Sequence, residues 1–120
     1  MLNDVTVTTD GMHPATSELR LVKVLAALAD PARLVMVQTL ARKGESPTTR
    51  LQDDAGLEIS RSTFSHHQKV LREAGIIQAR IHGLQRILTV RRDDLEACFP
   101  GLLHVVLATP ADLIGTRRSV

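Results

Sequence analysis

Between positions 61 and 69 the chain places Arg61, Ser62, Thr63, Ser65, His66 and Lys69, and Arg80 and Arg86 follow soon after. Hydroxyl, imidazole and cationic side chains in such density suit hydrogen bonding to phosphate oxygens and base edges. Residues 61 to 92 hold seven cations against one anion, Glu73, so this stretch carries +6 while the whole chain carries only +2. The remainder therefore sums to −4, and the positive charge is concentrated where a polyanion could be met. A solvated face is the plain alternative for any run of charge.

These groups need rigid elements to aim them. Ser60 can cap a helix over 61–74, and Gly75 can close it in a left-handed conformation. Phe64, His67, Val70, Leu71 and Ala74 recur at helical spacing and form the stripe to be buried, which leaves the polar residues outside. His66 and His67, being adjacent, point about 100° apart and cannot form one metal-binding face. After Gly75 the period becomes alternating, with Ile77, Ala79 and Ile81 opposite Gln78, Arg80 and His82. Gly83 suits a tight turn, and Gln85 to Val90 returns as a second strand. A polar helix followed by a basic hairpin is the plan of a recognition helix with a wing.

Upstream, a helix is expected from Ser17, with Leu21, Val24, Leu25 and Leu28 on its main stripe. Asp30-Pro31 opens a second helix over 31–43 that ends at Lys43-Gly44. Thr49 to Gln52 has capping-box spacing for a short helix over 49–55, and Gly56 turns the chain into the 61–74 helix, which completes a helix-turn-helix. Beyond the hairpin, Asp93 or Asp94 is expected to cap a short helix with Leu95, Cys98 and Phe99 inward. Leu102 to Ala108 forms another helix, apolar nearly all round. The apolar surplus of the first and last helices points to a subunit interface at Leu21, Val24, Leu25, Leu28, Leu102, Leu103 and Val106. Residues 1–16 read as a flexible arm, 17–108 as the DNA-binding and dimerisation domain, and 109–120, with Arg117 and Arg118, as a flexible tail.

With 120 residues there is room for one domain and one modest core. Hydrophobic residues make up 43% but aromatics only 2%, so aliphatic helix packing is expected and stacking on single-stranded bases is disfavoured. The one cysteine, Cys98, excludes an internal disulfide and reads as a small buried hydrophobe in a reducing compartment. No apolar run reaches the length of a membrane span, and no signal peptide is evident, so a cytoplasmic location is expected. A phosphate-binding glycine loop, paired carboxylates in an apolar setting and a nucleophile–base set are all missing, which argues against an enzyme.

Leu28-Ala29-Asp30-Pro31-Ala32-Arg33-Leu34, and Ser62-Thr63-Phe64-Ser65-His66-His67-Gln68-Lys69-Val70-Leu71-Arg72-Glu73-Ala74-Gly75-Ile76-Ile77, resemble the ArsR/SmtB family of small dimeric winged-helix repressors. The likeness covers about 17–108. Gln68 departs from the family pattern, which carries an apolar residue there; it would loosen local packing or turn an amide toward DNA. The resemblance implies a homodimer held by the first and last helices, bound to a palindromic operator and released by an effector. The metal sites of some members do not carry over. Thr48 to Asp54 holds no thiol or imidazole, Glu96 stands where one group has a histidine, and His104 is followed three positions on by Leu107.

The expectation is thus a mainly α chain with a small β-hairpin (α+β), a dimeric winged helix-turn-helix that regulates transcription, as a repressor, on a palindromic operator. The 61–74 helix would enter the major groove, with the 76–90 wing on the adjacent backbone or minor groove. Arg61, Ser62, Thr63, Ser65, His66, Lys69, Arg80 and Arg86 are its DNA-binding candidates. Double-stranded DNA and a second copy are the expected partners, with no membrane and no cofactor. Two alternatives stay open: a winged-helix module for protein assembly alone, and a metal-responsive regulator using a makeshift set of His13, Glu96 and His104.

Overall fold

The computed structural model describes residues 8–9 and 13–115. Two-residue strand β1 (Thr8–Thr9) precedes a 3-10 turn at Thr16–Glu18 and helices α1 (Leu21–Leu28) and α2 (Pro31–Lys43). Strand β2 (Ser46–Pro47), α3 (Thr48–Asp54) and α4 (Arg61–Glu73) follow, then β3 (Ile77–His82), β4 (Gln85–Val90), α5 (Arg92–Cys98) and α6 (Leu102–Ala108). The sheet is antiparallel in the order β1-β3-β4-β2. Its centre is the β3–β4 hairpin, in register from Ile77 opposite Val90 to His82 opposite Gln85. No single helix among the described residues is long and apolar enough to cross a membrane.

Local punctuation sets α2 and α4. The Asp30 carboxylate accepts from the backbone N–H of Ala32 (2.8 Å) and Arg33 (3.1 Å), with Pro31 at the first helical position. Gly44, at φ 89°, closes α2 by donating to Leu40 O at 2.9 Å. The core then forms where Val37 and Leu40 of α2, Leu51 of α3 and Leu71 of α4 meet Ile77 and Leu88 of the hairpin. Each fully buried leucine contributes roughly 1.5–3 kcal/mol. Lys43 Nζ sits 2.8 Å from Asp54 Oδ2, joining the ends of α2 and α3 and holding that carboxyl below the usual carboxylate range.

Three expected helix starts are corrected. α1 begins at Leu21 and not at Ser17, because Leu19 is extended and only 6% exposed, tucked onto the Gly75 turn. Gly75 has φ 86°, and a Cβ there would collide with Leu19 Cδ2, so both backbone freedom and space demand glycine. α3 begins at Thr48 without a side-chain cap, since Gln52 reaches forward to donate to Leu57 O (3.3 Å) and Ile59 O (2.7 Å). That amide satisfies carbonyls of the turn into α4. At α5 the residue before the helix is Arg91, and Asp94 accepts from Thr16 Oγ1 (2.7 Å) and Arg91 Nε (2.9 Å) in place of capping.

Residues 13–16, expected in a loose arm, are tied to the body. His13 Nε2 accepts from Ala79 N (3.1 Å), and Pro14 O accepts from Arg91 Nη1 (2.8 Å). Thr109, at the start of the expected tail, accepts from Gln38 Nε2 at 2.9 Å. The rest of the expected arm, and Arg117 and Arg118 of the tail, lie outside the described residues, apart from the backbone pairing of Thr8 and Thr9 with Ile81 and Arg80.

Candidate nucleic-acid interface

The Ser60 hydroxyl starts α4 by accepting from Thr63 N at 3.1 Å, and the same hydroxyl donates to Thr63 Oγ1 at 2.9 Å. One face of the helix is then buried: Phe64 at 4%, His67 at 8% and Leu71 at 0%, with Val70 half-buried. Gln68 is buried at 4% as well, so it neither faces DNA nor lies in an open site, and its Oε1 has no hydrogen-bond partner among the described residues. On the opposite face Arg61, Ser62, Thr63, Ser65, His66 and Lys69 are all exposed. Lys69 lies 3.9 Å from Glu73, an exposed pair worth little that does not hold the ammonium.

His67 fixes the roll of this helix. Its Nδ1 lies 3.0 Å from Arg33 Nη1, and Arg33 Nε donates to Ala27 O at 2.6 Å, so one guanidinium joins α1, α2 and α4. Since arginine only donates, Nδ1 accepts, and a neutral imidazole with its proton on Nε2 satisfies the pair. Burial is the main cause that lowers the His67 pKa; nearby Arg33 and His66 lower it further, while Asp30 opposes them. Arg33 was not among the sequence candidates. Nothing in its spacing announces a contact 34 positions away.

In the wing, cross-strand partners share a face, so Arg86 lies beside Ile81 and Arg80 beside Ile87. The two wing arginines therefore sit on opposite faces of the hairpin. Arg80 Nη2 is paired with Glu45 Oε1 at 2.9 Å, a neighbour that sequence pattern did not suggest. Of the seven cations counted between 61 and 92, Arg91 is 7% exposed and binds Asp94 and Pro14 O, while Arg92 donates to Ala41 O at 2.9 Å. Those two secure α5 and take no part in the basic face. The remaining charge lies on α4 and the hairpin.

The other candidates separate in space. Glu96 and His104 line one open groove of about 510 Å³ between α5 and α6, together with Arg92 and Asp93. His13 is bound to β3 instead, and no three His, Cys, Asp or Glu side chains converge among the described residues. One subunit does not assemble the makeshift set. Cys98 is half-buried, its Sγ 3.5 Å from Thr16 O. Of the expected interface residues, Val24 (0%), Leu28 (8%), Leu103 (7%) and Val106 (8%) are enclosed in the subunit's own core, and Leu102 is half-buried. Leu21 and Leu25, each 46% exposed, remain on the surface with Val22 at 80% and Val105 at 61%.

Comparison with known proteins bears on this arrangement. A helix-turn-helix domain family matches residues 28–78, which span α2, α3 and α4. The chain is 34% identical over 90 residues to the biofilm growth-associated repressor of Agrobacterium fabrum, covering 75% of this chain and 74% of that one. It is 29% identical over 84 residues to an HTH-type transcriptional regulator of Bacillus subtilis, covering 70% of this chain and 83% of the relative. Over 61 residues it is 34% identical to an HTH-type regulator of Methanocaldococcus jannaschii, covering 51% of this chain and 66% of that one. The fold is similar to the crystal structure of an ArsR family transcriptional regulator, with a TM-score of 0.56 at 20% identity, over 82% of this chain and all of the other. The chain belongs to the ArsR-type winged helix-turn-helix transcriptional regulators, which bind DNA and are not enzymes.

Proposed function

We propose that this regulator is a repressor that acts as a homodimer on a palindromic operator, with α4 in the major groove and the β3–β4 wing on the adjacent backbone or minor groove. The observation that carries this reading is the outer face of α4. It presents Arg61, Ser62, Thr63, Ser65, His66 and Lys69 to solvent, with no apolar residue among them, on a helix locked from behind by Phe64, His67 and Leu71. A surface built for protein assembly would show leucines and aromatics in those places. Two copies about 34 Å apart would meet successive turns of one DNA face. The reading assigns no resident cofactor and places the protein with the DNA in the cytoplasm.

Base reading falls to Ser62, Thr63, Ser65, His66 and Arg61, and phosphate binding to Lys69, Arg80 and Arg86. Replacing Ser65 or His66 by Ala should cost about 1–3 kcal/mol on a selected operator and little on random DNA. Replacing Arg86 should weaken binding to all sequences alike and flatten the salt dependence by about one unit of slope. Titrations of each variant on both DNAs, at several salt concentrations, check the division. Equal losses on both DNAs for all three variants would refute it.

A further inference from the structure

We propose that Leu84 is an apolar wedge at the wing tip that enters the minor groove beside the operator, making flanking base steps part of what the protein recognises. The proposal rests on the DNA-binding reading above and gives the wing a specificity role of its own. Leu84 is 105% exposed, more than any other large hydrophobic residue among those described. Leu21, Val22 and Leu25 lie on α1, Val105 on α6 and Leu113 in a 3-10 turn (Ala111–Leu113), whereas Leu84 stands at the apex of a basic hairpin.

A single exposed leucine is ordinary on a protein surface. Its setting distinguishes this one. The hairpin turns through Gly83 and Leu84 alone, with His82 and Gln85 as the closing pair. Tight turns favour glycine, asparagine and aspartate, so a leucine contributes nothing to the turn itself. Among the described residues nothing lies within 4 Å of where a Cβ on Gly83, at φ 63°, would stand, so the turn ends in one aliphatic side chain.

The minor groove, about 6 Å wide, is too narrow for a two-stranded ribbon yet admits one side chain. His82 and Gln85, both exposed on a shared face, could meet the sugar–phosphate edges as Leu84 enters. Apolar side chains inserted this way part a base step and bend the duplex, most cheaply at flexible pyrimidine–purine steps and least cheaply in stiff A-tracts. The wing would then read deformability and not hydrogen-bond pattern.

The test uses an operator selected from a random library by the wild-type protein. Its flanks are replaced by TA and CA steps or by an A-tract, and bending is followed by fluorescence transfer between duplex ends. The wild type should prefer the flexible flank by roughly ten-fold. Leu84→Ala and Leu84→Asn should lose that preference and bend DNA less, with unchanged melting temperature and unchanged affinity for the A-tract duplex. A selected operator bound by wild type and both variants with the same flank preference and bend would overturn the wedge and leave the DNA-binding reading intact. Failure of the wild type to prefer any sequence would overturn both.

Discussion

On the proposed reading, Glu45 occupies the place beside Arg80 that a DNA phosphate would take. The pair is 2.9 Å apart with side chains 57% and 31% exposed, so its strength is that of a surface pair, about 0.2–1 kcal/mol. Releasing the guanidinium to a phosphate thus costs little, but the carboxylate stays nearby and repels the backbone. Glu45→Gln should raise affinity for operator and random DNA alike, by about two- to five-fold, and steepen log K against log salt by about 0.9. An unchanged slope would mean that Arg80 makes no phosphate contact. Residues whose role is local were readable from sequence: Ser60 and Asp30 cap helices because their oxygens reach N–H groups two or three positions on. Glu45, Arg33 and Gln52 were not, because their partners are set by how the helices dock. Gln68 is a middle case, since its departure from the family pattern was visible but its burial was not.

Among the elements, α2, α4 and the hairpin appear within a residue of their expected limits, as strong stops and a clear change of period bound them. α1 begins later than its apolar period suggests. The chain there gives up a helical turn to bury Leu19 on Gly75, a tertiary contact that no local pattern encodes. The element on which the proposed function depends, α4, is registered through His67 and Arg33, and this makes stability sensitive to pH. Burial lowers the His67 pKa below its ordinary 6.5 in the folded state, so in that window the unfolded chain binds more protons. The contribution of His67 is therefore complete above 6.5 and is lost as pH falls from there through the folded pKa. Urea midpoints should drop between about pH 7.5 and 5.5, and His67→Gln, which keeps an acceptor for Arg33 and cannot titrate, should show a smaller drop. An equal drop in wild type and variant would remove His67 as the cause.

At the scale of the whole molecule, the apolar surplus of the first and last helices was legible, but its division was not. A chain this small uses the same helices for its own core, which takes Val24, Leu28, Leu103 and Val106. What is left outside is a stripe of Leu21, Val22 and Leu25 on α1, continuous with a shallow apolar groove lined by Leu21, Phe99, Pro100, Leu102 and Val105. Exposed aliphatic surface gathered along α1 and the junction of α5 and α6 is what a two-fold interface requires. The isolated subunit should therefore be the minor species, and light scattering should return twice the chain mass at micromolar concentration. Val22→Glu with Leu25→Glu places two charges per subunit in that interface without touching the enclosed core, so the variant should remain folded and become monomeric. A monomer holds one half-site at a time, which removes the gain from joining two binding events, about 10²- to 10⁴-fold. Operator affinity should fall by at least about 100-fold while single-half-site affinity stays within a few-fold of wild type. A wild-type monomer, or a monomeric variant that binds the full operator as tightly as the wild type, would show that one subunit suffices and that the α1 stripe serves another purpose.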